Sequence, residues 1–304
     1  MSTSVNDIEE YLKEQGYTFK YSGDDLLKVD SFSALSEPRQ NSLIWIRHLD
    51  KFNISSLDTD LDLLIVTDNT NEESRKYNVI STRDPRSVYF SILSHFFLTP
   101  PSPEVSSTAT ILTTNIGTDV SIGHHSFIDR GVSIGNRTII RNGVSIQGDV
   151  TIGEDCLIES GVVIGSGGFG FYYSADGCPK KIPDFCGVRI GDRVEIGANA
   201  AINRGTLSDT ILEDDVKIGE LVLVAHNGHV HQRALVVSGT MLGGSADIGE
   251  DSYVGLASCV MNQAHVGRNT LIGMGAVVIR NVADAHVVVG NPARTIRRNE
   301  PAGP

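Results

Sequence analysis

The sequence predicts a mainly β protein, a parallel β-helix carried behind a small N-terminal α/β domain. Two observations predict it. From Ile116 an aliphatic residue returns at every sixth position through Ile122, Ile128, Ile134, Ile140, Ile146, Ile152, Ile158 and Ile164. The same step returns in a second phase at Ile190, Ile196 and Ile202, and in a third from Leu212 and Ile218 through Val224, Leu242 and Val260 to Val278. Glycine follows many of these residues, as at Gly117, Gly153, Gly197 and Gly255. A period of six is a multiple of the strand period of two, and it would scatter apolar residues around a continuous α-helix. It suits a chain that runs straight, turns a corner at a small residue and repeats. Three such sides close a triangular coil, and the series is long enough for about eight coils with a continuous stacked core.

Composition agrees with this architecture. The 304 residues suffice for one solenoid and one small domain, and 40% hydrophobic content with only 6% aromatic residues fits a core of stacked Ile and Val. A formal net charge of -12 argues against a nucleic-acid surface. The acidic, amphipathic start is unlike a secretory signal, and no apolar run is long enough for a transmembrane segment, so a cytoplasmic location is expected. Cys156, Cys178, Cys186 and Cys259 lack metal-site spacing and read as reduced thiols, and no metal is expected.

In chain order, residues 1–98 lack the six-residue period and read as an α/β unit. A helix is expected near Asp7–Gln15, strands at Ser42–Ile46 and Leu61–Val66, and a second helix over Ser87–Phe97, where Val88, Ile92, Leu93 and Phe96 have helical spacing. The Pro/Ser-rich stretch TPPSPEVSST marks a linker, assigned to 99–110. The β-helix is expected over 111–280. It is interrupted by an excursion from Ser166 to Gly187 and by a four-residue phase slip around Gly205–Asp209. Residues 281–304 read as a C-terminal basic tail.

Three features carry chemistry. His226 follows the inward Val224 by two positions, at a corner where its ring can face outward, and Gly244 lies one 18-residue coil later. Stacking places the Gly244 main chain about one strand spacing, ~4.8 Å, from that of His226. A base that takes a proton from a nucleophile beside a backbone N–H that holds an oxyanion is what acyl transfer requires. The bland alternative is a surface histidine like His229 and His231 nearby. The glycine-rich stretch Gly165–Phe171 allows close backbone approach, and Phe169 and Phe171 can cap a sugar or acyl chain; equally, they can form an apolar loop folded on the helix. Past the last coil, Gly290, Asn291, Pro292 and Arg294, followed by Arg297 and Arg298, offer cations for the phosphates of a thioester donor, or simply a solvated tail.

Together GSGGFGFYYSADGCPKKIP (Gly165–Pro183), VRIGDRVEIGANAAINRGTLSDT (Val188–Thr210) and VLVAHNGHV (Val222–Val230) resemble the UDP-3-O-acylglucosamine N-acyltransferases of lipid A synthesis, within the left-handed β-helix acyltransferases. The resemblance implies a left-handed parallel β-helix, an exception to the right-handed crossover rule. It also implies a homotrimer with sites between subunits, and a nucleotide-binding N-terminal domain in which Trp45 can stack on a base. The implied acceptor is a nucleotide-linked amino sugar. The implied donor is a coenzyme A thioester or the phosphopantetheine of acyl carrier protein, used as co-substrate with no tightly bound cofactor. By it His226 matches the general base and Gly244 the oxyanion glycine, while His265 falls near a second histidine and Phe169, Phe171 and Asn203 near the substrate. Asn203 stands where the family usually has Asp, and Gly219 where it has an acidic residue; Glu220 beside it points elsewhere by strand alternation. The family's C-terminal helical extension is missing, and the Gly290–Arg294 ending looks like that of coenzyme-A-dependent acetyltransferases of amino sugars. A metal-dependent hydratase of the hexapeptide class would pair His226 with His231 and need a third ligand 36 residues before His226, where Ile190 stands.

Overall fold

Among the described residues of the repeat, sixteen corners are turned by non-glycine residues, many of them Asp, Asn or Arg, held near φ +55°, and these corners set the architecture. A computed structural model describes residues 2–58, 60–99 and 102–299. It divides into two compact units, Met1–Pro101 and Ser102–Pro304.

In the first unit a five-stranded sheet runs in the order Phe19–Ser22, Asn78–Thr82, Leu63–Thr67, Ser42–Ile46, Ser31–Phe32. All pairs are parallel except the first. Helix α1, Val5–Glu14, begins at a capping box in which Ser4 and Asp7 exchange hydrogen bonds. Helix α2, Pro85–Phe96, begins at Asp84, whose carboxylate accepts from the Ser87 N–H at 3.1 Å, with Pro85 in the first turn. Ile8, Leu12, Val88 and Ile92 bury against one sheet face with Leu64 and Val66, while Ile44, Ile65 and Val79 bury on the other. A strand buried on both faces reads as the continuous apolar run seen at Leu63–Thr67.

The second unit is a parallel β-helix with three faces. Face A has nine strands and includes Val163–Ser166, Ala201–Asn203, Leu223–Val224 and Met241–Leu242. Face B has seven, including Val188–Ile190, Thr210–Leu212, His229–Val230, Asp247–Ile248 and His265–Val266. Face C has ten and ends in an antiparallel pair, His286–Val289 with Arg294–Arg298. The six-residue series points inward: Ile164, Ile202, Val224, Leu242 and Val260 pair in register along face A, each at most 3% exposed. Small residues two before the inward one, such as Ala200, Ala234, Ala246 and Ala276, are buried too and fill the corners of the triangle.

Three expectations change in detail. The linker boundary moves, because Val105 already bridges Ile122 and Ser106 N–H bonds the Ile122 carbonyl, so coiling begins inside 99–110; Pro100 and Pro101 lie outside the described residues. The excursion is an antiparallel hairpin, Phe171–Tyr173 with Pro179–Lys181. The C-terminal tail is a β-hairpin that extends face C, because Val287 and Val288 are buried and continue the core; residues 300–304 of the assigned tail lie outside the described residues. Among the described residues no helix is long and apolar enough to cross a membrane.

Candidate functional site

His226 occupies the corner between faces A and B, between the strands Leu223–Val224 and His229–Val230. The corner is fixed by its neighbour: Asn227 adopts φ +60°, which asparagine tolerates. The next coil is locked beneath it, since the Ser245 N–H donates to the His226 carbonyl at 2.9 Å and the Gln263 N–H to that of Gly244 at 2.8 Å.

Two buried glycines clamp the imidazole. A Cβ on Gly244 would stand 2.7 Å from both Cε1 and Nε2 of His226. A Cβ on Gly168, in the excursion, would stand 2.8 Å from Cδ2 and 2.9 Å from the histidine Cβ. The ring therefore lies in a slot that side-chain-free residues alone leave open. Gly244 is buried, because the His226 ring covers it.

The ring's orientation follows from an amide. His226 Nδ1 is 2.9 Å from Asn227 Oδ1. The Asn227 Nδ2 donates to the Ser208 carbonyl at 2.7 Å and to Ser208 Oγ at 2.8 Å, and its Oδ1 also accepts from the Thr206 N–H at 3.3 Å. These bonds fix which end of the amide is oxygen, so the neutral ring carries its proton on Nδ1. Nε2 is left with a lone pair beside Gly244. Sequence reasoning assigns no role to Asn227 or Ser208, although both lie within the quoted stretches Val222–Val230 and Val188–Thr210. The available signal is the phase slip at Gly205–Asp209, which bends the chain to bring Ser208 under the corner. Glu220 is engaged with Ser238 Oγ, and that hydrogen bond holds its carboxyl below the usual range.

The other sequence-predicted residues distribute as follows. Asn203 anchors the root of the excursion, its Nδ2 donating to Ser166 Oγ at 3.0 Å, and the Arg204 N–H holds the Ser166 carbonyl. It thus supports the loop that carries Gly168. Lys181 Nζ donates to the Gly168 carbonyl and stands 5.4 Å from the Phe171 ring. Phe169 and Phe171 meet edge to face at 5.0 Å, and Phe169 is 91% exposed, so these rings project from the loop. His265 lies two coils further on, on face B, with Nδ1 3.1 Å from Asp247 Oδ1. Ile190 is buried in the core and cannot serve as a ligand, and His231 turns to Glu213 on face B, which removes the hydratase geometry.

Arg294, Arg297 and Arg298 stand exposed on the terminal strand. A bulge at Ile296 shifts the register, so Arg294 pairs Val289 and Arg297 pairs Val287, whereas Arg298 pairs His286. Directly paired residues share a face, so Arg294 and Arg297 project together and Arg298 oppositely. Arg294 also lines a cleft of about 380 Å³ with Arg280 and His286, and Gly290 turns the hairpin at φ +92° beside Asn291 and Pro292. In the first unit Trp45 packs against Tyr89 and Phe90 of α2 and lines a cleft of about 400 Å³ with Arg47, His48 and Lys51.

The fold and the repeat define a hexapeptide-repeat β-helix. Residues 131–166 match the bacterial transferase hexapeptide model, and residues 113–147 and 187–220 match that of the hexapeptide repeat of succinyl-transferase. The chain resembles the UDP-3-O-acylglucosamine N-acyltransferases. It is 39% identical over 127 residues to the one from Delftia acidovorans, covering 42% of this chain and 38% of that protein. It is 36% identical over 130 residues to the probable mitochondrial UDP-3-O-acylglucosamine N-acyltransferase 2 of Arabidopsis thaliana, covering 43% of each. The chain thus spans well under half the length of these curated relatives. Among solved structures, the UDP-N-acetylglucosamine O-acyltransferase of Moraxella catarrhalis shares the fold with a TM-score of 0.58 at 22% identity, over 64% of this chain and 75% of that one. The UDP-N-acetylglucosamine acyltransferase of Francisella novicida does so with a TM-score of 0.58 at 23% identity, over 64% and 71%.

Proposed function

We propose that this protein is an N-acyltransferase that moves an acyl group from a thioester donor to the amine of a nucleotide-linked amino sugar. The observation that carries it is the His226 ring, its Nδ1 turned to Asn227 Oδ1 and its Nε2 edge set against Gly244 in the slot that Gly168 closes. The amine nitrogen attacks the thioester carbonyl and forms a tetrahedral oxyanion, which a main-chain N–H at Gly244 stabilises. Nε2 takes the proton that the nitrogen sheds. The carbonyl re-forms, the C–S bond breaks, and the departing thiolate receives the proton from the imidazolium. One amide and one thiol result, and His226 returns to its neutral form.

The relatives' name supports a 3-O-acylated, UDP-linked glucosamine as the acceptor. Trp45 offers a ring for the base, and Arg47 and Lys51 in the same cleft offer cations for its phosphates. The reading assigns Phe169 and Phe171, which project from the loop that carries Gly168, to contacts with the sugar or acyl chain. The donor is coenzyme A or acyl carrier protein, with the arginines of the terminal hairpin as the anionic-donor contact, and a trimer working in the cytoplasm completes the reading. The test supplies UDP-3-O-acylglucosamine with an acyl-carrier-protein thioester or an acyl-coenzyme A and follows the N-acylated product by mass spectrometry. Product that forms with the wild type and not with His226→Ala supports the reading; no product with either donor, or an undiminished variant, overturns it.

A further inference from the structure

The outward side of face B carries a cluster that the acyl-transfer reading leaves unused. Glu213 and His231 each follow an inward residue, Leu212 and Val230, and are 18 residues apart, so they stack on adjacent coils. His229 precedes His231 by two and therefore projects on the same side of the sheet. Glu213 Oε1 lies 2.8 Å from His229 Nε2 and 3.0 Å from His231 Nδ1. The two rings stack with centroids 3.8 Å apart.

The three donor atoms all lie within 4.8 Å of one another. A tetrahedral zinc ion with bonds of about 2.0–2.1 Å needs ligand atoms roughly 3.3 Å apart, so small rotations of three side chains would accommodate it. What surrounds them suits a metal as well. The Gln232 N–H donates to Glu213 Oε2 at 3.1 Å, which leaves Oε1 directed at the two imidazoles. His231 Nε2 lies 3.4 Å from Asp247 Oδ1, the carboxylate behind a histidine that commonly sets its tautomer for a metal. A cleft of about 360 Å³ lined by His231, His265, Glu250 and Arg268 opens beside His231.

We propose that Glu213, His229 and His231 form a binding site for a divalent transition cation of the zinc class, with Asp247 positioning His231 and a fourth position left for water. Imidazole and carboxylate donors select such a cation over calcium or magnesium, which prefer all-oxygen shells. The strand pairing holds two ligands on consecutive coils, so the bound ion would bridge them. The site is separate from His226, whose partners are Asn227 and the two glycines, and the inference stands whether or not the acyl-transfer reading does.

The experiment uses the untagged full chain, stripped with chelator and dialysed, titrated with Co²⁺ and with Zn²⁺ at pH 7.5. One ion per chain is expected, with the strong visible absorption of tetrahedral Co²⁺, displacement of that signal by Zn²⁺, and a metal-dependent rise in Tm. The near-isosteric Glu213→Gln and the truncating His231→Ala each lower affinity at least about 100-fold, and Asp247→Asn about 10–100-fold. His226→Ala binds the metal as the wild type does. Circular dichroism checks that each variant is folded, so a variant that fails to fold leaves the others to decide. Absence of the Co²⁺ spectrum and of any Tm shift in folded wild type overturns the proposal and leaves a proton-sharing Glu–His cluster. So does equal binding by Glu213→Gln, or loss of binding in folded His226→Ala.

Discussion

His226 Nδ1 and Asn227 Oδ1 are 2.9 Å apart on adjacent residues, a pairing that depends on the left-handed conformation of Asn227. That conformation turns the amide back toward the preceding ring while Ser208 holds its Nδ2. A neutral amide here does the orienting that a carboxylate often does for a catalytic histidine, without a negative charge to favour the imidazolium.

Changing this amide separates orientation from charge. Asn227→Ala removes the Nδ1 acceptor, and kcat is expected to fall about 10–100-fold with KM nearly unchanged. Asn227→Asp keeps the acceptor and adds a carboxylate, which favours the protonated ring. The acid limb of kcat/KM should then move to higher pH than in the wild type. A pH–rate profile for both variants reads this directly; coincident limbs for wild type and Asn227→Asp would show that Oδ1 does not contact the ring during turnover.

The base itself is tested by His226→Ala. Loss of a positioned general base is expected to lower kcat about 10²–10⁴-fold. Nucleotide affinity should stay within about twofold, measured by calorimetry with UDP. A loss under about fivefold would mean that the substrate amine is deprotonated by another route.

The glycine slot gives a sharper prediction than the position of either glycine in sequence. A single methyl at Gly244 would meet Nε2 and Cε1 at 2.7 Å, closer than real contacts allow, so Gly244→Ala must displace the ring. Gly168→Ala meets the other side of it. Both should cost about 10²-fold or more in kcat. Gly168→Ala should leave the Tm almost unchanged, because its loop lies outside the coils. An active Gly244→Ala would mean that the ring adopts a different rotamer in the working enzyme.

How much of this is readable from the chain follows from which forces are periodic. Inward positions such as Ile202, Val224 and Leu242 repeat because every coil buries the same corner against the same neighbour, so core and strand register are legible. Stacking arithmetic also places Gly244 under His226. Gly168 is not legible as a partner of the ring, because a 22-residue excursion has no period to count along. The strand His286–Val289 escapes the six-residue step, although three consecutive valines signal a buried strand; it still pairs in parallel, Val288 with Ile272, but the last coil is two residues shorter than the 18-residue repeat, and only Arg294–Arg298 turns antiparallel. Glu213 and His231 are within reach, since the 18-residue step that links His226 to Gly244 links them too.

Stability should depend on pH through a set of corner ion pairs. Arg137, Arg193 and Arg233 bond Asp155, Asp215 and Asp251 on the next coil at 2.6, 2.8 and 2.7 Å. The hydrogen bond from each arginine holds its aspartate below the ordinary carboxylate range. A depressed folded-state value means that the stabilisation is complete above the unfolded value of about 3.9 and disappears as pH falls through the folded one. Tm should therefore be nearly flat with respect to these pairs above pH ~5 and fall below pH ~4. Because the pairs are largely exposed, 0.5 M salt should shrink that fall. Thermal melts of wild type and Arg193→Ala across this range check it, the variant losing the smaller amount of stability on acidification.

The last prediction concerns the donor. Coenzyme A carries a 3′-phosphate and a pyrophosphate that the phosphopantetheine arm of a carrier protein lacks, so arginines of the terminal hairpin would meet the two donors differently. The bulge at Ile296 puts Arg294 and Arg297 on one face and Arg298 on the other, so the three cations should not contribute equally. If this hairpin clamps coenzyme A, the free coenzyme should bind measurably in calorimetry. Arg294→Ala with Arg297→Ala should then weaken it by about 1–3 kcal/mol for each charge-assisted hydrogen bond removed, and Arg298→Ala alone should change it little. If the donor is a carrier protein, free coenzyme A should bind poorly. The double variant should instead weaken a protein–protein association that falls steeply between low and moderate salt. Arg294 and Arg280 share a cleft of about 380 Å³, enough for a phosphate with its waters, and this favours the coenzyme. Tight coenzyme A binding that survives removal of all three arginines would place the donor on another part of the coil.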